Sequence, residues 1–207
     1  MVYKLFKRCF DFTSALLLLI VISPLFLVLM ICVRFSMGSP IFFHQERSGK
    51  DEKPFGLMKF RTMTDARGAE GNLLPDHERL TKFGRFLRNS SLDELPELLN
   101  IIKGDMAVIG PRPLYMKYNP YYTEYERKRN KVRGGLIPPE SLYYDSFLTW
   151  DKQLKYEADY AENLSFMLDV NILISVFKTM LRRNMEDYGE YDRQPLDVER
   201  ANKKSNE

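Results

Sequence analysis

The sequence predicts an α+β protein, mostly helical with one small β-hairpin, carried at a membrane by its N-terminal segment. Three observations lead there. Residues 15–33, ALLLLIVISPLFLVLMICV, are almost wholly apolar. Two short β-prone runs, Ile41–Gln45 and Phe55–Arg61, flank a Gly/Lys/Asp/Pro turn, the pattern of a hairpin. Elsewhere the apolar residues recur with helical spacing, most clearly over Glu78–Arg88, Glu97–Lys103 and Phe166–Met180.

With 207 residues, 44% of them apolar, the chain can bury one ordinary core with appendages, which excludes wholesale disorder. A net charge of +3 is too mild to argue for nucleic acid, and no nucleic-acid partner is expected. Cys9 and Cys32 flank the apolar run and build no disulfide framework, which suits a reducing, cytoplasmic setting for the globular part. The expected division is an anchor over 1–36, a catalytic domain over 37–183 and a polar, loosely held tail over 184–207.

A straight helix over residues 15–33 would reach just under ~30 Å, barely the hydrocarbon thickness. Ser23-Pro24 falls near its middle. Proline removes a backbone donor and clashes with the carbonyl four residues earlier, so a break is expected there, with the Ser23 hydroxyl bonding a freed carbonyl. Lys4, Lys7 and Arg8 precede the segment and Arg34, Arg47 and Lys50 follow it, so the one-sided charge bias of a spanning helix is missing. From these features, a span and a helix-break-helix that re-enters the same face both stay open. The run is long for a signal peptide and Leu29-Met-Ile-Cys32 has no small residue before its cysteine, so the segment is expected to be retained.

The second β-prone run ends Lys59-Phe60-Arg61. Alternation makes this a solvated strand face with Phe55 and Phe60 turned inward; the sharper reading gives Lys59 and Arg61 to a phosphate. Residues 65–76, rich in Gly, Asp and Asn, read as a mobile loop. His44 and His77 stand alone, so no zinc site is expected. Over Glu78–Arg88, Arg79, Lys82, Arg85 and Arg88 recur beside Leu80, Phe83 and Leu87. Such a helix either lies in a lipid headgroup layer or packs its apolar stripe on the core.

The sequence centres on Asp93 and Glu94, adjacent carboxylates set between that basic segment and the turn Gly110-Pro111-Arg112-Pro113. Ser91 to Glu94 fits a capping box, but Pro96 would then fall too deep in the helix. A helix starting at Asp93 or Glu94 puts Pro96 in its first turn, where it is tolerated, and leaves the carboxylates at a helix N-terminus. Capping and function stay open on this evidence. Gly104 reads as the stop of the helix over Glu97–Lys103. Two prolines fix where the Arg112 guanidinium points, which suits bidentate phosphate recognition.

These residues resemble the bacterial sugar transferase family, in particular its small monotopic phosphoglycosyl transferases. The likeness runs from about Lys7 to Arg183 through Lys7-Arg8-Cys-Phe-Asp11, Ser23-Pro24, Gly38-Ser-Pro-Ile-Phe-Phe-His-Gln45 and Lys59-Phe-Arg-Thr-Met63. It continues in Leu87-Arg-Asn-Ser-Ser-Leu-Asp-Glu-Leu-Pro-Glu97, Asn100-Ile-Ile-Lys-Gly-Asp-Met106 and Gly110-Pro-Arg-Pro113. The resemblance implies transfer of a sugar-1-phosphate from a UDP-sugar to polyprenol phosphate, releasing UMP at the start of membrane glycoconjugate assembly. It implies Asp93 as nucleophile and Glu94 as a Mg²⁺ ligand, with Asp93 beside the metal. Lys59, Arg61, Arg88, Pro111 and Arg112 are then expected around the phosphates. It favours the re-entrant anchor, a monotopic protein of the bacterial cytoplasmic membrane with membrane lipid as a partner. Family habit points to a hexosamine donor; the oligomeric state is not implied.

The pattern breaks after Tyr115. Relatives carry Arg-Pro-Gly-(Ile/Leu)-Thr-Gly and a Gly-Arg-Asn element, whereas this chain reads Arg133-Gly-Gly-Leu-Ile-Pro-Pro-Glu-Ser-Leu-Tyr-Tyr-Asp145, which opens the question of the donor. Register returns with Tyr156 to Asp169, and Asp169 is expected either to support the cationic site or merely to start a helix. Two rival readings stand beside the covalent enzyme: the same reaction by direct attack in a ternary complex, and a silent membrane-anchored scaffold.

Overall fold

A computed structural model describes residues 2–143, 148–182 and 193–205. Arg183, the tail residues 184–192, and the end of the atypical segment at 144–145 lie outside them. The chain divides into two compact units, one made of Asp11–Gln45 with Gly56–Lys103, the other of Met1–Phe10, Glu46–Phe55 and Gly104–Glu207.

In the first unit, helices α1 (Val2–Val21, entering the unit at Asp11) and α2 (Ser23–Met37) meet at the foreseen break, bent by 69°. Pro24 has no N–H for the carbonyl of Ile20, four residues back, and the Ser23 hydroxyl donates to that same carbonyl at 2.8 Å. Among the described residues no single helix is long and apolar enough to cross a membrane, although the bent pair qualifies jointly by length and composition.

The apolar run is amphipathic in burial. Phe26, Leu29, Val33 and Met37 enter a core with Phe60 and Leu87, while Leu17, Ile20, Val21, Leu27, Val28 and Ile31 are exposed. The N-terminal helix pair is therefore packed into this unit, and the expected boundary at residue 36 does not separate it from the segment bearing the carboxylates.

The hairpin forms as β1 (Phe42–Ser48) paired with β2 (Pro54–Phe60), its tip lying in the second unit. The cationic stretch differs from expectation. Arg79 closes a separate turn, α3 (Asp76–Arg79), and Leu80 is extended and bridges Met63, so one helix does not run from Glu78. Thr81 explains the break: its hydroxyl caps α4 (Lys82–Asn89) by accepting from the Gly84 N–H at 2.8 Å. Lys82, Arg85 and Arg88 remain on α4 and are exposed, with Leu87 buried opposite. A second bridge, Arg67 to Leu73, closes the loop read as mobile. Helix α5 (Glu97–Lys103) ends at Gly104, whose φ of +100° meets the expected stop.

The second unit adds a small parallel sheet that the sequence reading lacked, β3 (Met106–Ile109) beside β4 (Gly134–Ile137), with Ala107 opposite Gly135. The unusual Gly134-Gly135 pair has a steric cause here, since a Cβ on Gly135 would lie 2.0 Å from the Gly110 nitrogen. Helices α6 (Trp150–Glu162) and α7 (Phe166–Arg182) follow, and Ile109, Val132, Tyr160, Ala161 and Ile172 form a core. Helix α7 turns Ile172 inward and leaves Phe166, Met167, Ile174 and Phe177 exposed.

The end of the chain corrects the tail reading. Residues 196–205 form helix α8 (Leu196–Ser205), and Leu196 is fully buried with Leu114, Tyr118, Tyr122, Trp150 and Leu154. Arg200 bridges Glu126 at 2.7 Å and Asp151 at 2.6 Å. One buried leucine and matched charges hold a segment whose composition alone reads as solvated.

Candidate active site

The carboxylates occupy neither helix position the sequence suggested. Ser91 adopts the left-handed region (φ +55°), makes no side-chain cap, and turns the chain out of α4 into a 3₁₀ turn over Leu92–Glu94. A non-glycine residue held there is strained, and such strain persists where surrounding packing fixes it. Leu92 and Leu95 supply that packing against the core containing Phe26, Val33 and Leu87. Asp93 and Glu94 therefore project from a short turn seated on the anchor core, and α5 begins three residues later at Glu97.

Strand β2 brings Lys59 to the acids. Its Nζ lies 2.6 Å from Glu94 Oε1 and 3.4 Å from Glu97 Oε1, with Glu97 almost fully buried. Asn100, one turn further along α5, fixes the strand: its amide donates to the Gly56 carbonyl and accepts from the Met58 N–H, at 2.8 and 2.9 Å. Burial raises the Asp93 carboxyl above its ordinary 3.8; Lys59 opposes that shift, Glu94 adds to it, and Arg88 opposes it. Arg88 is oriented by donating from Nε to Thr62 Oγ1 at 3.0 Å. Asp93, Glu94, Glu97, Lys59 and Arg88 thus form one cluster within the first unit.

Other expected residues have different posts. Arg61 is buried, donates from Nε to the Met63 carbonyl and from Nη1 to the Ser39 carbonyl, both at 2.8 Å, and pairs through Nη2 with Asp65. Those contacts tie loops together. Asp169, in the second unit, is also buried. Its Oδ2 accepts from Lys7 Nζ at 2.8 Å and from the Tyr3 hydroxyl, and its Oδ1 accepts from the Tyr160 hydroxyl at 2.7 Å. It joins the start of α1 to α6 and α7. Pro111 and Arg112 also belong to the second unit. Pro111 is buried and its carbonyl accepts from the Gly135 N–H at 3.0 Å, while the Arg112 side chain is exposed.

Three contributors escaped the sequence reading: Glu97, Thr62 and Asn100. Glu97 carried a signal, since it stands three residues after Glu94 and four after Asp93, spacings that meet on one face of a helical turn. Thr62 and Asn100 gave none, because each acts through a tertiary contact.

Among the described residues no set of three or more His, Cys, Asp or Glu side chains is arranged to hold a metal ion by itself. Asp93 and Glu94 nonetheless offer the hard oxygen donors that suit Mg²⁺, which takes one or two carboxylates and completes its shell from water and substrate phosphate. Carboxylates interleaved with Lys59 and Arg88 are an arrangement chemically suited to a phosphorylated, anionic ligand.

The comparisons agree. The signature of the family described as "Bacterial sugar transferase" matches residues 2–183, and the chain belongs to that family. It is 46% identical to the "Uncharacterized sugar transferase EpsL" of Bacillus subtilis (strain 168), over 84% of this chain and 87% of the relative. It is 34% identical to the UDP-glucose:undecaprenyl-phosphate glucose-1-phosphate transferase of Klebsiella pneumoniae, over 86% of this chain but 41% of that longer protein. It is also 34% identical to the exopolysaccharide production protein ExoY of Sinorhizobium fredii, over 84% of this chain and 83% of the relative.

Proposed function

We propose that this protein is a phosphoglycosyl transferase that moves a sugar-1-phosphate from a UDP-sugar to undecaprenyl phosphate and releases UMP. The observation that carries the reading is the Lys59–Glu94–Glu97 arrangement beside a buried Asp93 on the same 3₁₀ turn as Glu94. The names of the relatives support the class of donor and acceptor.

In the proposed route an Asp93 oxygen attacks the sugar-bearing phosphorus, an acyl phosphate forms, and the bond to the UMP oxygen breaks. The phosphate oxygen of undecaprenyl phosphate then attacks the same phosphorus, giving the diphosphosugar and returning the Asp93 carboxylate. Lys59 and Arg88 stabilise charge as it develops on the departing UMP, and Arg112, on the second unit, offers a planar fork suited to phosphate. Glu94, with Asp93 beside it, would hold Mg²⁺, which neutralises the diphosphate when bound. The bent α1–α2 pair enters and leaves the cytoplasmic face of the inner membrane, keeping the turn near the acceptor headgroup. The product would begin a capsule, exopolysaccharide or related glycoconjugate.

The test is UMP release by full-length protein in detergent with Mg²⁺, undecaprenyl phosphate and a panel of UDP-sugars. Release from one donor, abolished by Asp93→Asn, is expected. Intact-mass measurement without acceptor should find one phosphosugar on Asp93. Turnover without an adduct would replace the covalent route by direct attack, and neither UMP release nor UDP-sugar binding would leave a scaffold.

A further inference from the structure

The second unit contains a polar relay that ends on Arg112 and begins in the C-terminal segment, past the span matched to the family. Both polar groups of the Arg112 backbone are tied. Its N–H donates to Glu157 Oε1 at 3.0 Å, and its carbonyl accepts from Arg129 Nη2. Arg129 and Glu157 are themselves a fully buried pair, with Nε to Oε2 at 2.6 Å. Gln153 is buried too and donates to Glu157 Oε1 at 3.0 Å, and Arg193 Nη2 donates to Gln153 Oε1.

Arg193 is held in turn. Its guanidinium lies 3.5 Å from the Trp150 ring centroid, its Nη1 donates to the Leu148 carbonyl at 3.0 Å, and the Trp150 indole donates to the Gln194 carbonyl at 2.9 Å. Glu140 packs by the same pair. Burial and the Glu157 charge push its carboxyl up to about 8. Each contact of the relay is buried or half-buried, where hydrogen bonds to charged groups count most.

We propose that Arg193, just ahead of α8, is a clip that sets the Arg112 turn through Gln153 and Glu157, making Arg193, Gln153 and Glu157 positioning residues for phosphate binding. The proposal rests on the reading of Arg112 as a phosphate ligand. Two prolines restrict the turn from within, and the relay restricts it from without. Arg112 then meets an anionic ligand with little ordering left to lose.

The test is titration of full-length, detergent-solubilised protein with UDP and Mg²⁺, for wild type, Arg193→Ala, Arg193→Lys, Arg200→Ala, Arg112→Ala and Arg193→Ala/Arg112→Ala. Arg193→Ala should weaken UDP binding about tenfold, the lower end of the worth of one charge-assisted hydrogen bond, with Arg193→Lys recovering part of it. Arg112→Ala should weaken it further, and the double variant should bind no worse than Arg112→Ala alone. Arg200→Ala, which loosens α8 but leaves the relay intact, should bind like wild type. A purely structural clip would instead show Arg193→Ala and Arg200→Ala losing binding alike, or an Arg193→Ala effect that persists undiminished without Arg112, and either result overturns the proposal. So does an Arg193→Ala protein that binds UDP like wild type. If Arg193→Ala fails to fold, Arg193→Lys against Arg112→Ala carries the same comparison. Wild-type protein that binds no UDP overturns the underlying transferase reading, and Arg112→Ala that binds like wild type overturns the ligand role of Arg112, so each failure is distinguishable from that of the relay.

Discussion

Lys59 Nζ lies 2.6 Å from Glu94 Oε1 and shares its charge with Glu97, so one ammonium from β2 balances acids from two successive turns. Removing it takes the shared cation from Glu94 and Glu97 and leaves a departing UMP with one cation fewer. Lys59→Met is therefore expected to lower kcat/KM for UMP release by about 100-fold, in the range seen when a single charge-stabilising donor is lost. Lys59→Arg should retain part of the activity, because charge is kept while geometry changes. Rates of Lys59→Met within a small factor of wild type would refute the role.

Asp93 links activity and stability with opposite signs. Its folded carboxyl titrates above the ordinary 3.8, because burial disfavours the charged form. The folded state thus holds the proton more tightly than the unfolded chain does. The charged side chain costs no stability below 3.8, costs increasingly as pH rises towards the folded value, and costs a constant amount above it. Asp93→Asn should be inactive yet melt at a higher temperature than wild type at pH 7 in EDTA, the difference shrinking as pH falls. The acid limb of wild-type kcat/KM should sit above 3.8 and move higher in Lys59→Met, since Lys59 lowers the Asp93 value. An equal or lower melting temperature for Asp93→Asn would contradict the burial argument.

How much of this was legible follows from the range of each interaction. Pro24 announces its own break and Ser23 its remedy, because cause and consequence lie within one helical turn. Gly104 and the hairpin were readable for the same reason. The capping-box spelling of Ser91 to Glu94 misled, because whether Ser91 caps a helix or takes a left-handed φ is decided by Leu92 and Leu95 packing onto residues some 60 positions away. The structural contacts of Arg61, Asp169 and Leu196 were not readable from their neighbours in sequence. Their partners, Ser39, Tyr3 with Lys7, and Trp150, are remote in sequence. The parallel strands β3 and β4 are four residues each and carry no alternation to detect.

The Ser23–Ile20 bond makes the anchor testable. Pro24→Ala restores the missing N–H and removes the ring clash, and Ser23→Ala removes the alternative donor. In the double variant α1 and α2 can join into one helix about 54 Å long, enough to span a bilayer. A tag at the N-terminus should then be labelled from the periplasmic side of intact cells, whereas the wild-type tag is protected. Equal protection in both would show that the outer packing of α2, and not the break, sets the topology.

Gly84 couples the fold to the cationic residues. An added Cβ would stand 1.9 Å from the Thr62 carbonyl oxygen and 2.7 Å from its carbon, both backbone atoms that cannot rotate away. Helix α4 must shift off the strand end, at a cost of about 1–3 kcal/mol as for overpacked cores, or more because backbone is involved. The shift also separates Arg88 from the Thr62 hydroxyl that orients it. Gly84→Ala is expected to lower the melting temperature and the transferase rate together. Thr62→Val keeps the backbone and loses only the acceptor of Arg88, so it should lower the rate with a much smaller change in melting. If Thr62→Val is as active as wild type, Arg88 is positioned by something other than Thr62, and the rate loss in Gly84→Ala reflects the turn over Leu92–Glu94 moving with α4.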